Sequence, residues 1–328
     1  MSRAEPIAHR AWNTLPSQWT TSRIAESAKG LVRPWRHTES PSHLRVIHTI
    51  DELEDQLVSI EKAAQISDDE LRSSFNTFRM ELNREMPSDP FSEEYRIAVM
   101  GLYEWLHGSP YRLTNEQTEF EFTRFVRTPF PYSTHSCATV GNHLMAVGHV
   151  IKTLDIRPNS RVLELGPGWG NVTLALTQMG HQVTAVDMSE EFLRLIEARA
   201  VQIDAHVETV CGDFSCIDDL QGQWDAVIFF ESFHHSPDHL RLLESLHRIV
   251  APGGKVLFAS EPIANDFYLP WGPRLDGESL WAIRTNGWFE LGFRKSYFVE
   301  ALRRTGWSTR EVAHAGITPS ATFVAMSR

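Results

Sequence analysis

Cysteine is scarce. Three stand among 328 residues, Cys137, Cys211 and Cys216, too few and too unevenly spaced for a disulfide framework, and no C-x-x-C pair offers a zinc site. They read as reduced thiols in a cytoplasmic protein. Long apolar runs are missing as well. The opening MSRAEPIAHRAWNTLPSQW has no apolar stretch of the roughly 7 to 15 residues that a secretory leader needs, and nowhere do about 18 uncharged apolar residues follow one another. Neither secretion nor a membrane span is expected. Positive charge is in deficit: 31 Lys and Arg face 42 Asp and Glu, a net charge of -11, so no overall field draws the chain onto nucleic acid or an anionic membrane. What is present is ordinary for a globular protein, with 42% hydrophobic, 10% aromatic and 22% charged residues. The length suits two domains, or one α/β domain with a large extension.

Composition shifts along the chain. Residues 1–45 hold seven Lys or Arg against three Asp or Glu, with Pro6, Pro16, Pro34 and Pro41 among them, and read as an irregular basic arm. Residues 46–104 invert the balance to five basic against fourteen acidic. Periodicity makes this stretch helical: Leu53, Leu57, Ile60 and Ala64 form one stripe, and Leu71, Phe75, Phe78 and Leu82 another. Ser67 with Glu70 is a capping box for the second helix, and a third is expected from Ser92 to Gly108. A helical N-terminal module over 46–130 follows. After residue 158, short apolar runs alternate with amphipathic stretches, the rhythm of a parallel sheet wrapped by helices. Strands are expected at 161–165, 182–186, 206–210, 225–230 and 254–259, then an antiparallel pair near 307–313 and 321–325. That is a doubly wound, Rossmann-like sheet of seven strands with an antiparallel last strand, over 131–328.

The first strand runs into VLELGPGWGN. Gly166, Gly168 and Gly170 let the backbone turn tightly and approach a ligand lying across the strand end. A dinucleotide loop needs G-x-G-x-x-G, and its third glycine would fall at Asn171, which argues against nicotinamide and flavin. Asp187 ends the second strand, where a carboxylate can accept from both ribose hydroxyls; a plain helix N-cap is the alternative. After the third strand, Asp213 can accept from an adenine amino group and Phe214 can cover its ring or simply pack. After the fourth, FFESFHHSPD gathers Glu231, His234, His235 and Asp238.

In this order, ELGPGWG, AVDMS, GDF, the acid-and-histidine segment and PGG before a strand, the chain resembles the class I S-adenosylmethionine-dependent methyltransferases of the small-molecule type, over about residues 135–328. The resemblance implies that Glu164, Gly166, Pro167, Gly168 and Gly170 shape the methionine end of an S-adenosyl-L-methionine site. Asp187 would then hold the ribose, Met188 would lie beside the adenine, and Asp213 and Phe214 would complete its pocket.

Methyl transfer from a sulfonium needs alignment and, for a hydroxyl acceptor, a base. His235 is the first candidate and His234 the second, with a structural role as the alternative. Glu231 can orient either histidine, or with Glu261 supply oxygens to a divalent ion; no metal site is read from spacing. Neither the D/N-P-P-Y/F segment of DNA amino-methyltransferases nor the paired-glutamate loop of protein arginine methyltransferases is present, so a small-molecule or saccharide acceptor is expected. The aromatic-rich insertion at 261–295 carries Tyr268, Trp271, Arg274, Trp281 and Arg284, a mixture suited to sugar faces and hydroxyls or to a packed lid. Its EPI, WGPRLDGESLWAIR and GWFELGF segments are similar to methyltransferases of bacterial cell-surface polysaccharide pathways. The expected function is O-methylation of a sugar hydroxyl. A secondary-metabolite methyltransferase and a non-catalytic cofactor-binding member are the alternatives. The N-terminal module is expected to cover the mouth of the site, with His135 near the sulfonium, or else to make a homodimer.

Overall fold

The computed structural model describes residues 44–127, 137–313 and 322–327. Its centre is a seven-stranded sheet. The strands are β3 (Arg161–Leu165), β4 (Gln182–Asp187), β5 (Glu208–Cys211), β6 (Trp224–Phe230), β7 (Val250–Ala259), β11 (Trp307–Val312) and β12 (Thr322–Ser327), in the order β11-β12-β7-β6-β3-β4-β5. The five strands from β3 to β7 run parallel, while β12 lies antiparallel to both β7 and β11. The expected closing hairpin is therefore present. The 313–322 connection, where Gly316 and Pro319 were expected to turn the chain, falls largely outside the described residues.

Within β3, RVLEL, residues 162–165 are buried in succession because both faces of a central parallel strand are covered. On one face Val147, Val150 and Leu154 of α5 (Cys137–Leu154) pack with Val162, Ile228 and Leu257. On the other, Leu163, Val227, Phe229 and Phe258 join a larger core with α8 (His239–Ile249) and α10 (Lys295–Arg304). Chain progression reverses beside β3, with β4 and β5 to one side and β6 and β7 to the other, which opens a crevice at the carboxyl ends of the strands.

The N-terminal region begins with α1 (Ile50–Ile66), opened by a capping box. The Thr49 side chain accepts from the Glu52 amide, and Glu52 returns a carboxylate to the Thr49 amide. Leu53, Leu57, Ile60 and Ala64 are buried along it as the stripe predicts. Helix α2 (Asp68–Phe75) starts on the Ser67 cap, and α3 (Glu93–His107) ends at left-handed Gly108. The second stripe is corrected at its far end, where Leu82 lies in irregular chain beyond the helix. Phe78 is not helical, since Asn76 and Thr77 turn back onto the Arg72 and Ser74 carbonyls, and residues 78–80 form β2, parallel to β1 (Arg45–Ile47). Phe78 and Met80 reach the core at a period of two instead.

The insertion is a three-stranded sheet, β8 (Ile263–Ala264), β10 (Leu291–Arg294) and β9 (Trp271–Pro273), with α9 (Gly277–Trp281) between β9 and β10. It packs directly on α3. The Tyr95 hydroxyl donates to the Trp271 carbonyl at 3.0 Å, the Trp271 indole N–H to the Pro90 carbonyl at 2.8 Å, and Arg284 to Glu54 at 2.7 Å. N-terminal helices, insertion and one face of the sheet thus share a single core. Among the described residues no helix is long and apolar enough to cross a membrane. Trp271 is 2% exposed at the centre of this junction, so Trp271→Ala should lower the unfolding free energy by about 3–5 kcal/mol while keeping one cooperative transition in urea. An unchanged midpoint, or two separate transitions, would contradict a shared core.

Candidate active site

A cavity of about 430 Å³ lies across the carboxyl ends of β3, β4, β5 and β6. Its floor is the loop after β3, which turns back under α6 (Asn171–Gln178). Gly170 has φ +73, and a Cβ there would meet Ile196 at 2.5 Å, so only glycine lets α6 start this close to α7 (Glu190–Gln202). Gly168, also left-handed, has nothing within 4 Å of its Cβ position and faces the cavity. The Asp187 carboxylate is fixed beside it, accepting from the Gly168 amide at 3.2 Å and the Ser189 amide at 2.8 Å. Pro167, Gly166, Met188, Asp213 and Phe214 line the same cavity. Asp213 caps the turn that follows it through the Ser215 amide, and Phe214 stands edge-on to Phe229. Glu164 reaches the wall from inside β3. It accepts from the Thr173 hydroxyl, and burial pushes its carboxyl up to about 7. Of the residues expected at the cofactor, Gly170 alone does not line the cavity, because it acts through the packing of α6.

The opposite wall follows β6. Glu231 takes a left-handed φ of +55 and faces the cavity. Burial, then the negative charges of Glu261 and Glu278, push its carboxyl up to about 8. Next comes a tight 3-10 turn over 233–235, which Glu261 holds. One Glu261 oxygen accepts from the Ser232 and Phe233 amides at 2.9 Å, and the other from the His234 amide at 3.1 Å. His234 Nδ1 lies 2.8 Å from that second oxygen. Glu261 therefore does not line the cavity. Its carboxylate is occupied in shaping the turn, which is a different place from the catalytic or ion-binding position expected for it. His234 is buried but touches the cavity, and His235 stands beside it with ring centroids 4.2 Å apart.

Two acids that sequence reasoning did not single out complete this wall. Glu116, from the 3-10 turn Leu113–Glu116, puts Oε2 at 3.3 Å from His235 Nδ1 and accepts the Phe289 amide at 2.7 Å through Oε1. Glu290, from the insertion, lies 3.7 Å from His234 Nε2 and 3.5 Å from Arg274. Tyr111 and Trp288 add aromatic rings.

The insertion residues expected at the acceptor do not reach the cavity. Trp271 and Trp281 are closed into the shared core at 2% and 3% exposure, and Tyr268 is 56% exposed. Arg284 is tied to Glu54 and to the Leu106 and His107 carbonyls. Arg274 acts at one remove, through Glu290 and Asp276. His135 lies outside the described residues.

Residues 162–254 match a methyltransferase-domain family. The chain is 33% identical over 141 residues to the glycine/sarcosine/dimethylglycine N-methyltransferase of Actinopolyspora halophila, covering 42% of this chain and 25% of that protein. It is 31% identical over 107 residues to the ubiquinone biosynthesis O-methyltransferase of Xanthomonas campestris pv. campestris, covering 31% and 44%. The chain thus spans from a quarter to less than half the length of these relatives. Among solved structures, the magnesium protoporphyrin IX methyltransferase of Synechocystis PCC 6803 with bound S-adenosylmethionine superposes with a TM-score of 0.46 at 16% identity, over 63% of this chain and 91% of that one.

The observed wall suits the cofactor: the Gly168 face is a cradle that a Cβ would fill, and the Asp187 carboxylate is held rigid on the cavity wall. Charge-assisted hydrogen bonds of this kind contribute about 1.5–3 kcal/mol. Asp187→Ala should weaken S-adenosylmethionine binding roughly tenfold or more in calorimetry, with the fold retained by circular dichroism; equal affinity would remove Asp187 from the site. Residues 162–254 are a methyltransferase domain, and S-adenosyl-L-methionine is its cofactor.

Proposed function

We propose that this protein is an O-methyltransferase whose acceptor is a hydroxyl of a sugar or a similar polyhydroxylated small molecule. The observation that carries this reading is the pairing of two walls in one cavity. The cofactor loop and Asp187 stand on one side, and two groups able to take a proton, His235 and Glu231, stand on the other. A hydroxyl must lose its proton as the oxygen attacks the methyl carbon, and a base within hydrogen-bond reach removes that barrier. Holding donor and acceptor in line supplies much of the remaining acceleration.

The composition of this wall supports a neutral polyol. Tyr111 and Trp288 offer apolar ring surface, while Glu116, Glu231 and Glu290 offer acceptors for hydroxyl donors.

The relatives methylate different acceptors by name, an amine in one case and a ubiquinone precursor in the other, so turnover decides. The full-length protein with labelled S-adenosylmethionine should methylate a hydroxyl compound from a panel of sugars, nucleotide sugars, phenols and amines. Turnover confined to amines would overturn the assignment. Glu231→Gln and His235→Ala, assayed with the accepted compound, should show a loss of turnover of roughly a hundredfold or more in whichever removes the base, at unchanged cofactor affinity. Full activity in both would mean that no base of this wall is used.

A further inference from the structure

The acceptor wall is built to hold a cation. One ligating atom from each of His234, His235 and Glu290 lies within 4.8 Å of the other two. A carboxylate lies beside Nδ1 of each histidine: Glu261 at 2.8 Å from His234, as a hydrogen bond, and Glu116 at 3.3 Å from His235, as an ion-pair contact without hydrogen-bond geometry. At His234 the Glu261 carboxylate favours the ring proton on Nδ1 and turns the Nε2 lone pair to the cavity side, the outer arrangement that orients histidine ligands generally. His234 Nε2 accordingly points toward Glu290, at 3.7 Å from Oε2. Each element is fixed in turn. Glu261 is anchored by three backbone amides, Glu116 by the Phe289 amide, and Glu290 by the Arg274 guanidinium at 3.5 Å.

Charge points the same way. Glu116 and Glu290 face this wall, and Arg274, the cation beside Glu290, is already shared with Asp276. Anions gathered away from bulk water call for a compensating cation or a proton.

We infer that His234, His235 and Glu290 bind one divalent first-row transition-metal ion at the acceptor end of the cavity. Two imidazoles and one carboxylate favour zinc, cobalt, nickel or iron(II) over magnesium and calcium, which take oxygen ligands. Three protein ligands leave a coordination position open. This deepens the reading above and rests on it only for what the ion would meet there, an acceptor hydroxyl; in that case His235 serves as a ligand, and Glu231 is left to take the proton.

Binding is testable without any acceptor. Tag-free, full-length protein is titrated calorimetrically with ZnCl₂, CoCl₂ and, for reference, MgCl₂. One zinc or cobalt ion per chain is expected, with Glu290→Gln and His235→Ala each binding roughly tenfold or more weakly and Glu116→Gln at least several-fold more weakly. S-adenosylmethionine titrations of the same variants check that they are folded. Independently of any variant, zinc should shift the ring resonances of His234 and His235 and leave those of His239 and His247 in place. A wild-type chain that binds no stoichiometric ion, variants that bind as wild type does, or a preference for magnesium would each overturn the site. Asp187→Ala separates the two readings: it should keep the ion while losing the cofactor. Ion binding with no cofactor binding in the wild type would sink the methyltransferase reading alone, and the reverse pattern would sink the ion alone.

Discussion

One buried carboxylate organises the reactive edge of the sheet. Glu261 sits just beyond β7 and gathers three consecutive backbone amides and one imidazole from the segment after β6. A buried carboxylate is costly unless its lone pairs are filled, and four donors fill them. The bonds fix the 232–234 backbone, which in turn orients His234 and His235 on the cavity wall. Ser232 adds a hydroxyl bond to the Leu165 carbonyl at 2.7 Å, tying the same turn to the strand that carries the cofactor loop. The two walls of the site are thereby held in one frame, and their spacing does not depend on mobile side chains.

The edge is held at some cost in stability. Burial pushes the carboxyls of Glu164, Glu231 and Glu278 up to about 7, 8 and 8, reinforced at Glu231 by the charges of Glu261 and Glu278 and partly offset at Glu164 by Thr173 and at Glu278 by Arg274. Each binds its proton more tightly in the folded chain than in the unfolded one. Their burial therefore weakens the fold as the pH rises from the ordinary carboxylate range toward these values. Glu231 adds a left-handed backbone, which a side chain rarely adopts. Glu231 thus puts a left-handed backbone and a buried carboxyl together on the cavity wall, above strands whose packing is mostly apolar.

Much of this was legible in the sequence for a simple reason. Strands such as RVLEL and WDAVIFF are apolar but for one or two residues each, as central parallel strands tend to be, while the glycine loop follows one strand end directly and Asp187 closes another. Local pattern suffices where local geometry decides. The acceptor wall was not legible because it is made by long-range contact. Glu116 meets the insertion across 173 positions of chain, and nothing in LTNE marks its acid as different from its solvated neighbours. Glu290 lies within a segment singled out for its aromatic residues, but only the fold sets it against His234. The aromatic residues themselves misled: Trp271 and Trp281 have the composition of a sugar-binding face, and they close the core between the insertion and the N-terminal helices instead, Trp271 against Tyr95 of α3 and Trp281 against Phe75 of α2. Phe78 fits a helical stripe by spacing, yet two side-chain caps end the helix just before it.

The central claim is that cofactor and acceptor wall face each other across one cavity at the carboxyl edge of the sheet. The most direct test is a crystal structure of the full chain with S-adenosylhomocysteine. The account predicts ribose hydroxyls on Asp187, the adenine between Met188 and Phe214, and the sulfur turned toward Glu231 and His235. A ligand seated away from Asp187, or one whose sulfur faces away from the 231–235 segment, would contradict it.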